Sequence, residues 1–153
     1  MQIVVAHIKF EGQKISGEES PDILEMEEDQ YFLPAGNVEY DFFVQPAGSE
    51  LLVRGSLKAE FKSVCGRCGS DCIFVAEQKS FLRSYPFHDK SVIIDLTEDI
   101  REEIILTLPF VSLCSSDCKG ICSHCGTNLN KAKCKCQISE TSNAWDVLDK
   151  LKV

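Results

Sequence analysis

Residues 113–136 read L-C-S-S-D-C-K-G-I-C-S-H-C-G-T-N-L-N-K-A-K-C-K-C and hold six of the nine cysteines of this chain. The other three, Cys65, Cys68 and Cys72, lie in the stretch V-C-G-R-C-G-S-D-C, and no cysteine precedes them. Such clustering is typical of a metal site, because tetrahedral zinc needs four soft ligands that converge on one point. The pattern therefore predicts a zinc protein whose metal organises its C-terminal half.

Two short stretches carry the strongest metal-binding signal. Residues 65–69 and residues 122–126 both read C-x-x-C-G. This spacing lets two sulfurs bind one ion, and the glycine permits the positive φ that such turns often require. Two weaker pairs raise the inventory of candidate ligands to eight: Cys114 with Cys118, and Cys134 with Cys136.

The four pairs can be combined in more than one way. The preferred arrangement has one site at Cys65, Cys68, Cys114 and Cys118 and a second at Cys122, Cys125, Cys134 and Cys136. The competing arrangement is a single zinc at Cys65, Cys68, Cys122 and Cys125, and an exchange of Cys118 with Cys122 also stays open. We expect two zinc ions, and at least one, because four unused thiols would be exposed to oxidation.

The available ligand set is all thiolate, which is the closed, structural type of zinc site. A catalytic zinc keeps an open position and usually has histidine or carboxylate ligands. The sequence contains no H-E-x-x-H, no G-x-S-x-G and no glycine-rich phosphate loop. It also lacks the C-x2-C-x2-C run of bacterial ferredoxins. We therefore expect no catalytic residues and no enzymatic activity.

Two residues close to the predicted ligands are expected to have other roles. Cys72 begins a predicted strand, where a free cysteine behaves as a small apolar residue. His124 lies between two ligand cysteines, a position that suits exposure to solvent better than ligation.

Charge is unevenly distributed along the chain. The formal net charge of −8 belongs entirely to residues 1–60, since residues 61–153 carry equal numbers of acids and bases. Basic side chains near the cysteines are candidate RNA contacts: Arg67, Lys119, Lys131, Lys133 and Lys135. These lysines would equally offset the negative charge of metal-bound thiolates, and both interpretations stay open. The acidic N-terminal half argues against a large nucleic-acid surface there.

The pattern of apolar residues predicts an α+β fold. Strands are expected at residues 2–8, 38–44, 51–64, 72–85 and 92–96, with a bulge or bend at Gly55 and a cysteine turn at a hairpin tip. Residues 11–29 are predicted to be an acidic loop. A packing helix near residues 98–108, N-capped by Thr97, presents an apolar stripe made of Ile100, Ile104, Ile105 and Leu108. A short helix is expected at residues 144–151.

We thus expect a small antiparallel β-sheet or barrel-like domain at residues 1–112, followed by a zinc-binding region at residues 113–153 that shares a zinc with the hairpin tip at residues 65–68. No apolar run reaches the length of a membrane span, and no secretory signal is recognisable. Cytoplasmic localisation is therefore expected.

The later motifs resemble a known family. Residues 94–109 read I-D-L-x-E-x-I-R-E-E-I-x-L-x-L-P, and residues 113–136 read L-C-x-x-D-C-K-G-I-C-x-x-C-G-x-N-L-N-x3-C-x-C. Together with the earlier C-x-R-C they resemble the YceD family of large ribosomal RNA subunit accumulation proteins. The resemblance implies a cytosolic bacterial or plastid protein that supports synthesis, processing or stability of 23S ribosomal RNA. It supplies no catalytic residues.

Three functions remain open at this point. The first is a non-catalytic ribosome-biogenesis factor whose partners are ribosomal RNA or large-subunit assembly intermediates and their proteins, with no membrane and no small-molecule substrate. The second is a protein-interaction adaptor without direct RNA contact, using the acidic residues 17–29 and the tail around Trp145. The third is a redox-sensitive zinc protein in which an oxidant pairs Cys134 with Cys136 or a neighbour.

Overall fold

In the part of the chain that the structure describes, the fold is antiparallel β-structure with one α-helix, as predicted. The computed structural model describes residues 1–26 and 31–136. The strands are β1 (Gln2–Val4), β2 (Gln13–Glu19), β3 (Phe32–Pro34), β4 (Val38–Ala47), β5 (Glu50–Val64), β6 (Asp71–Pro86) and β7 (Ile93–Asp95). The helix α1 spans Thr97–Leu106, and short 3-10 helices span Val5–His7 and Pro21–Leu24. In this part of the chain, no helix is long and apolar enough to cross a membrane.

Strand β5 is the centre of the main sheet. Along one edge it pairs first with β4 and then with β3, and along the other it pairs with the whole of β6. Strand β2 lies outside β4, and β1 pairs with β7 in a separate two-stranded sheet. The chain reverses between Val64 and Asp71, so that residues 65–70 form the tip of the long β5–β6 hairpin. The first C-x-x-C-G turn is this tip.

The core lies on one face of the main sheet. Strand β5 alternates buried apolar with exposed charged side chains, the period-two pattern of a sheet with one buried face. The largest buried side chains are aromatic: Phe42, Phe61 and Phe81. Helix α1 contributes Ile100 and Ile104, which are fully buried as predicted. Ile105 is exposed, so the buried stripe of the helix is narrower than predicted.

Gly55 marks an irregularity in β5, as predicted. The register between β5 and β6 shifts between Gly55 and Leu57. A Cβ at Gly55 would collide with the backbone carbonyl oxygen of Asp41 on the neighbouring strand. Only glycine therefore allows the close approach of these two strands.

The prediction of a loop over residues 11–29 was wrong for its first half. Gln13–Glu19 forms β2, which pairs in register with β4 from Val44 to Val38. An edge strand needs few apolar residues, and charged side chains on it discourage pairing with other chains. The acidity that suggested a loop is therefore also compatible with an edge strand. Residues 27–30 of the same stretch lie outside the described residues.

Helix α1 starts one residue earlier than predicted. Thr97 is its first residue instead of its N-cap, and the carboxylate of Asp95 accepts the backbone N–H of Thr97 at 2.9 Å. The hydroxyl of Thr97 donates to the same oxygen, and chiefly through this bond the pKa of Asp95 falls to about 2. The helix predicted at residues 144–151 lies outside the described residues.

Candidate metal centre

Four cysteines meet where the β5–β6 hairpin contacts the segment after α1. The Sγ atoms of this inner quartet all lie within 4.8 Å of one another, and its members are Cys65, Cys68, Cys114 and Cys118. The Sγ–Sγ distances are 3.7 Å between Cys65 and Cys118 and 3.6 Å between Cys68 and Cys114. All of them except Cys114 are buried.

Ser112 attaches the segment after α1 to the end of β5. It is buried, and its hydroxyl lies 2.8 Å from that of Ser63 and donates to the carbonyl of Val64 at 3.1 Å. The backbone N–H of Gly66 in turn donates to the carbonyl of Ser112 at 3.0 Å. These bonds place Cys114 beside the hairpin tip. Sequence reasoning missed Ser112, because a lone serine beside valine carries no recognisable signal.

The remaining four predicted ligands form a second group farther along the chain. The Sγ atoms of this outer quartet also lie within 4.8 Å of one another, and its members are Cys122, Cys125, Cys134 and Cys136. The Sγ of Cys134 is 3.3 Å from that of Cys122 and 3.5 Å from that of Cys125. Two members are exposed and two are half-buried. The structure therefore groups the eight cysteines as the preferred arrangement does, and the set Cys65, Cys68, Cys122 and Cys125 is not grouped in the described residues.

The two C-x-x-C-G turns have the same backbone hydrogen bonds. In the first, the N–H of Cys65 donates to Ser70 and the N–H of Gly69 donates to Cys65. In the second, the N–H of Cys122 donates to Thr127 and the N–H of Gly126 donates to Cys122. Both glycines have a positive φ, 67° at Gly69 and 71° at Gly126, as the sequence predicted.

The distances between the sulfurs suit a single ion in each quartet. Zinc–sulfur bonds of about 2.3 Å in a tetrahedron place the sulfurs about 3.8 Å apart. The closest pairs here lie between 3.3 and 3.7 Å. A multinuclear iron–sulfur cluster places bridging atoms between its ligands and holds the thiolates farther apart. Each quartet is therefore compatible with one mononuclear metal ion.

The thiols of each quartet differ in acidity. In the inner quartet, the backbone N–H of Cys114 helps to lower the pKa of Cys65 to about 6. The pKa of Cys114 rises to about 12, mainly through its hydrogen bond to Cys118. In the outer quartet, the hydroxyl of Thr127 lowers the pKa of Cys125 to about 6, and Cys134 raises that of Cys136 to about 12. Four crowded thiolates repel one another, and a bound cation would remove this penalty.

Two asparagines connect the quartets, and sequence reasoning gave them no role. The side-chain amide of Asn130 donates to Cys118 Sγ at 3.2 Å and its oxygen accepts the backbone N–H of Lys119 at 2.8 Å. The amide of Asn128 donates to Ser70 Oγ at 3.2 Å. Both asparagines belong to the loop between the outer ligands Cys125 and Cys134, yet they bond to the inner site. The signal was present in the T-N-L-N stretch, because asparagine side chains often satisfy backbone groups in tight loops.

The other singled-out residues lie around the quartets. Arg67 donates to the carbonyl of Cys118 at 3.2 Å, so its guanidinium helps to join the hairpin tip to the tail. The four predicted lysines are exposed and form no ion pair within the described residues: Lys119, Lys131, Lys133 and Lys135.

Cys72 and His124 lie outside both quartets. Cys72 is half-buried, and its sulfur lies 3.5 Å from Ser112 Oγ. His124 is exposed, and its backbone N–H donates to Cys122 Sγ at 3.4 Å.

Comparisons with known proteins support the family resemblance that the sequence motifs indicate. The profile of the family described as "Large ribosomal RNA subunit accumulation protein YceD" matches residues 73–152. An Arabidopsis thaliana protein, "Large ribosomal RNA subunit accumulation protein YCED homolog 1, chloroplastic", is 39% identical over 59 residues, which are 39% of this chain and 18% of that protein. Its Zea mays counterpart is 39% identical over 54 residues, which are 35% of this chain and 18% of that protein.

A bacterial relative matches a longer stretch. An uncharacterized protein of Mycobacterium leprae is 31% identical over 106 residues, which are 60% of this chain and 49% of that protein. The chain thus spans about half or less of the length of the curated relatives it matches. No solved structure matches the chain. The profile match over more than half of the chain shows that this protein belongs to the YceD family of large ribosomal RNA subunit accumulation proteins.

Proposed function

We propose that this protein is a non-catalytic, cytoplasmic ribosome-biogenesis factor that supports synthesis, processing or stability of 23S ribosomal RNA. In this proposal, residues 1–112 are the β-rich scaffold and residues 113–153 are a zinc-binding region joined to the tip of the hairpin. Family membership over residues 73–152 is the observation that carries the function.

The quartets support zinc as the metal and a structural role for it. Each offers four cysteine sulfurs around one point, the closed ligand set of structural zinc. Four thiolates leave no position for a water or a substrate, so zinc bound there would not act as a Lewis acid. In this proposal the metal holds the cysteine-rich segment after α1 on the β5–β6 hairpin, and no residue is catalytic.

The exposed lysines around the outer quartet are the proposed RNA contacts. Four bound thiolates leave about two negative charges on each zinc site. The four positive charges near the outer site are more than its neutralisation requires, and they belong to Lys119, Lys131, Lys133 and Lys135. Lysines without acidic partners attract the phosphate backbone whatever its sequence. Arg67 belongs to a different class, because its guanidinium already donates to Cys118. We propose it as a structural residue that contributes less to RNA contact than the lysines.

Complementation of a deletion strain tests the proposal. The ratio of mature 23S to 16S ribosomal RNA should fall without the protein and recover with the wild-type chain. A variant with alanine at Lys119, Lys131, Lys133 and Lys135 should restore the ratio only partly. The same variant should bind a 23S fragment about tenfold more weakly in a filter assay at low salt. The matched control replaces four exposed lysines elsewhere: Lys9, Lys62, Lys79 and Lys90.

The outcomes separate the parts of the proposal. An unchanged 23S to 16S ratio in the deletion strain would remove the biogenesis function. If the deletion lowers the ratio and both lysine variants restore it fully, the biogenesis function stands without direct RNA contact by the tail. That second result would favour an adaptor that reaches the RNA through another protein.

A further inference from the structure

A row of apolar side chains is exposed between the end of α1 and the hairpin tip. Phe110 is fully exposed, Leu106 is 71% exposed, Val111 is 54% exposed and Ile105 is 39% exposed. We call these four residues the apolar ridge. The helix ends at Leu106, and the proline at position 109 prevents it from continuing. Val111 extends the ridge to Gly66, where an added Cβ would meet its side chain.

A groove of about 390 Å³ lies beside the ridge. Its apolar lining comes from α1, the segment after it and residues 24–26 and 31–32, and includes Ile105, Leu108, Met26 and Tyr31. Ile105 thus belongs both to the ridge and to the groove. Solitary exposed apolar residues are ordinary on protein surfaces, but four within the seven residues 105–111, one of them lining an apolar groove, are typical of an interaction site.

The rim of this surface is acidic. Glu25 and Arg101 line the groove, and a second depression along α1 is bordered by Glu98, Asp99 and Glu102. Arg101 pairs with Glu25 at 2.6 Å and lies 3.9 Å from Glu98, so its charge is already balanced. A second cation packed against α1, Arg83, pairs with Asp99 and Glu103 and lies 3.6 Å from Glu102. The net charge of this region is therefore negative, because the two arginines are opposed by five carboxylates: Glu25, Glu98, Asp99, Glu102 and Glu103.

We propose that the apolar ridge and its groove bind a basic, amphipathic segment of a partner protein. Phe110 and Leu106 would be buried as anchors against apolar side chains of that segment, and its lysines or arginines would face Glu98 and Glu102. Aromatic anchors surrounded by a polar rim are the usual source of affinity in such interfaces. The acidic rim repels RNA, and it disfavours self-association because a second copy would bring the same carboxylates.

This surface is distinct from the lysines of the outer quartet. Its residues belong to α1, to the segment that leads from it towards Cys114 and, in the groove, to residues 24–26 and 31–32. The inference therefore goes beyond the proposed RNA function and survives if the lysines make no RNA contact.

A defined peptide probes the surface directly. The probe is a helical peptide of about 18 residues with leucine at helical spacing and lysine elsewhere. Its Kd for the full chain is measured by fluorescence anisotropy. We expect Phe110→Ser to weaken binding about tenfold, since a buried aromatic anchor contributes at that level. The double variant Glu98→Gln/Glu102→Gln should weaken binding about fivefold at low salt, with the difference shrinking as salt is added.

The control removes equivalent groups elsewhere. Phe10 is 85% exposed and precedes Glu11, so Phe10→Ser/Glu11→Gln removes an exposed phenylalanine and a carboxylate outside the surface. We expect this variant to bind the peptide with unchanged affinity. Equal weakening by the control and by Phe110→Ser would overturn the proposal, because binding would then follow total charge and apolarity. Binding of a single-stranded RNA of similar length that is lost in Phe110→Ser would also overturn it. All substituted side chains are exposed, and far-UV circular dichroism with metal content checks that each variant is folded.

Discussion

The inner and outer quartets share one backbone turn but differ in their surroundings. The inner quartet joins the end of β5 to the segment after α1, and three of its four cysteines are buried. The outer quartet takes all four ligands from residues 122–136, and none of them is buried. A metal in the inner quartet would therefore tie two distant parts of the chain together. A metal in the outer quartet would order residues 122–136, which reach the inner site only through the side chains of Asn128 and Asn130 within the described residues.

The largest expected difference is in stability. Cys68→Ser and Cys125→Ser are matched, because each removes the second cysteine of a C-x-x-C-G turn. We expect Cys68→Ser to lower the free energy of unfolding by more than about 4 kcal/mol, since loss of a buried metal belongs to the most damaging class of changes. Cys125→Ser should lower it by less than about 1 kcal/mol. Chemical denaturation followed by far-UV circular dichroism measures both, and equal losses would contradict the distinction.

Metal release should separate the quartets kinetically. With excess chelator, we expect one equivalent of zinc to leave at least about tenfold faster than the other, because an exposed local site opens at lower free energy. A colorimetric chelator follows both phases. The fast phase should disappear in Cys125→Ser and the slow phase in Cys68→Ser. A single phase in the wild-type chain would argue against the difference in burial as the controlling factor.

The asparagine contacts predict coupling between the quartets. Asn130 lies in the outer loop but donates to the inner ligand Cys118. We expect Asn130→Ala to weaken zinc binding at the inner quartet by about tenfold to a hundredfold, the usual cost of losing a group that supports a metal ligand. Competition with a chelator of known affinity measures it. Asn37→Ala is the control, since the amide of Asn37 donates to exposed Glu18 far from either quartet in sequence. If Asn130→Ala and Asn37→Ala bind zinc equally well, the contact of Asn130 with Cys118 contributes nothing to the zinc affinity of the inner quartet.

The smallest expected effect concerns the start of α1, which leads to the inner quartet. Hydrogen bonds from Thr97 hold the pKa of Asp95 at about 2, below the unfolded value of about 3.9. Its stabilisation is therefore present above about pH 4 and is lost as pH falls towards 2. We expect Asp95→Ala to cost about 1 kcal/mol at neutral pH. Denaturation from pH 7 to pH 2 should show this cost shrinking, and a cost that grows on acidification would contradict the assignment.

The residues that could be predicted from sequence are those with a periodic or spaced pattern. The alternation in β5, the stripe at Ile100 and Ile104, and the two C-x-x-C-G turns all reflect local geometry that sequence spacing records. The same spacing placed the eight cysteines in two groups of four, as the structure does. Their role as ligands remains a prediction.

The missed elements depend on contacts between distant residues. Strand β2 is stabilised by its pairing with β4, and β3 by its pairing with β5, so neither shows a strong pattern of its own. Ser112 and Asn130 act through single hydrogen bonds to residues that only the fold brings near. Exposure of Phe110 was likewise not predictable, because an apolar residue after a helix is equally compatible with burial.

Zinc content per chain tests the central claim most directly. We expect two equivalents in the wild-type protein by mass spectrometry of the metal. One equivalent should remain in Cys68→Ser and one in Cys125→Ser, and none in the double variant. One equivalent in the wild-type protein, lost completely in either single variant, would contradict two separate metal sites and would favour one shared site.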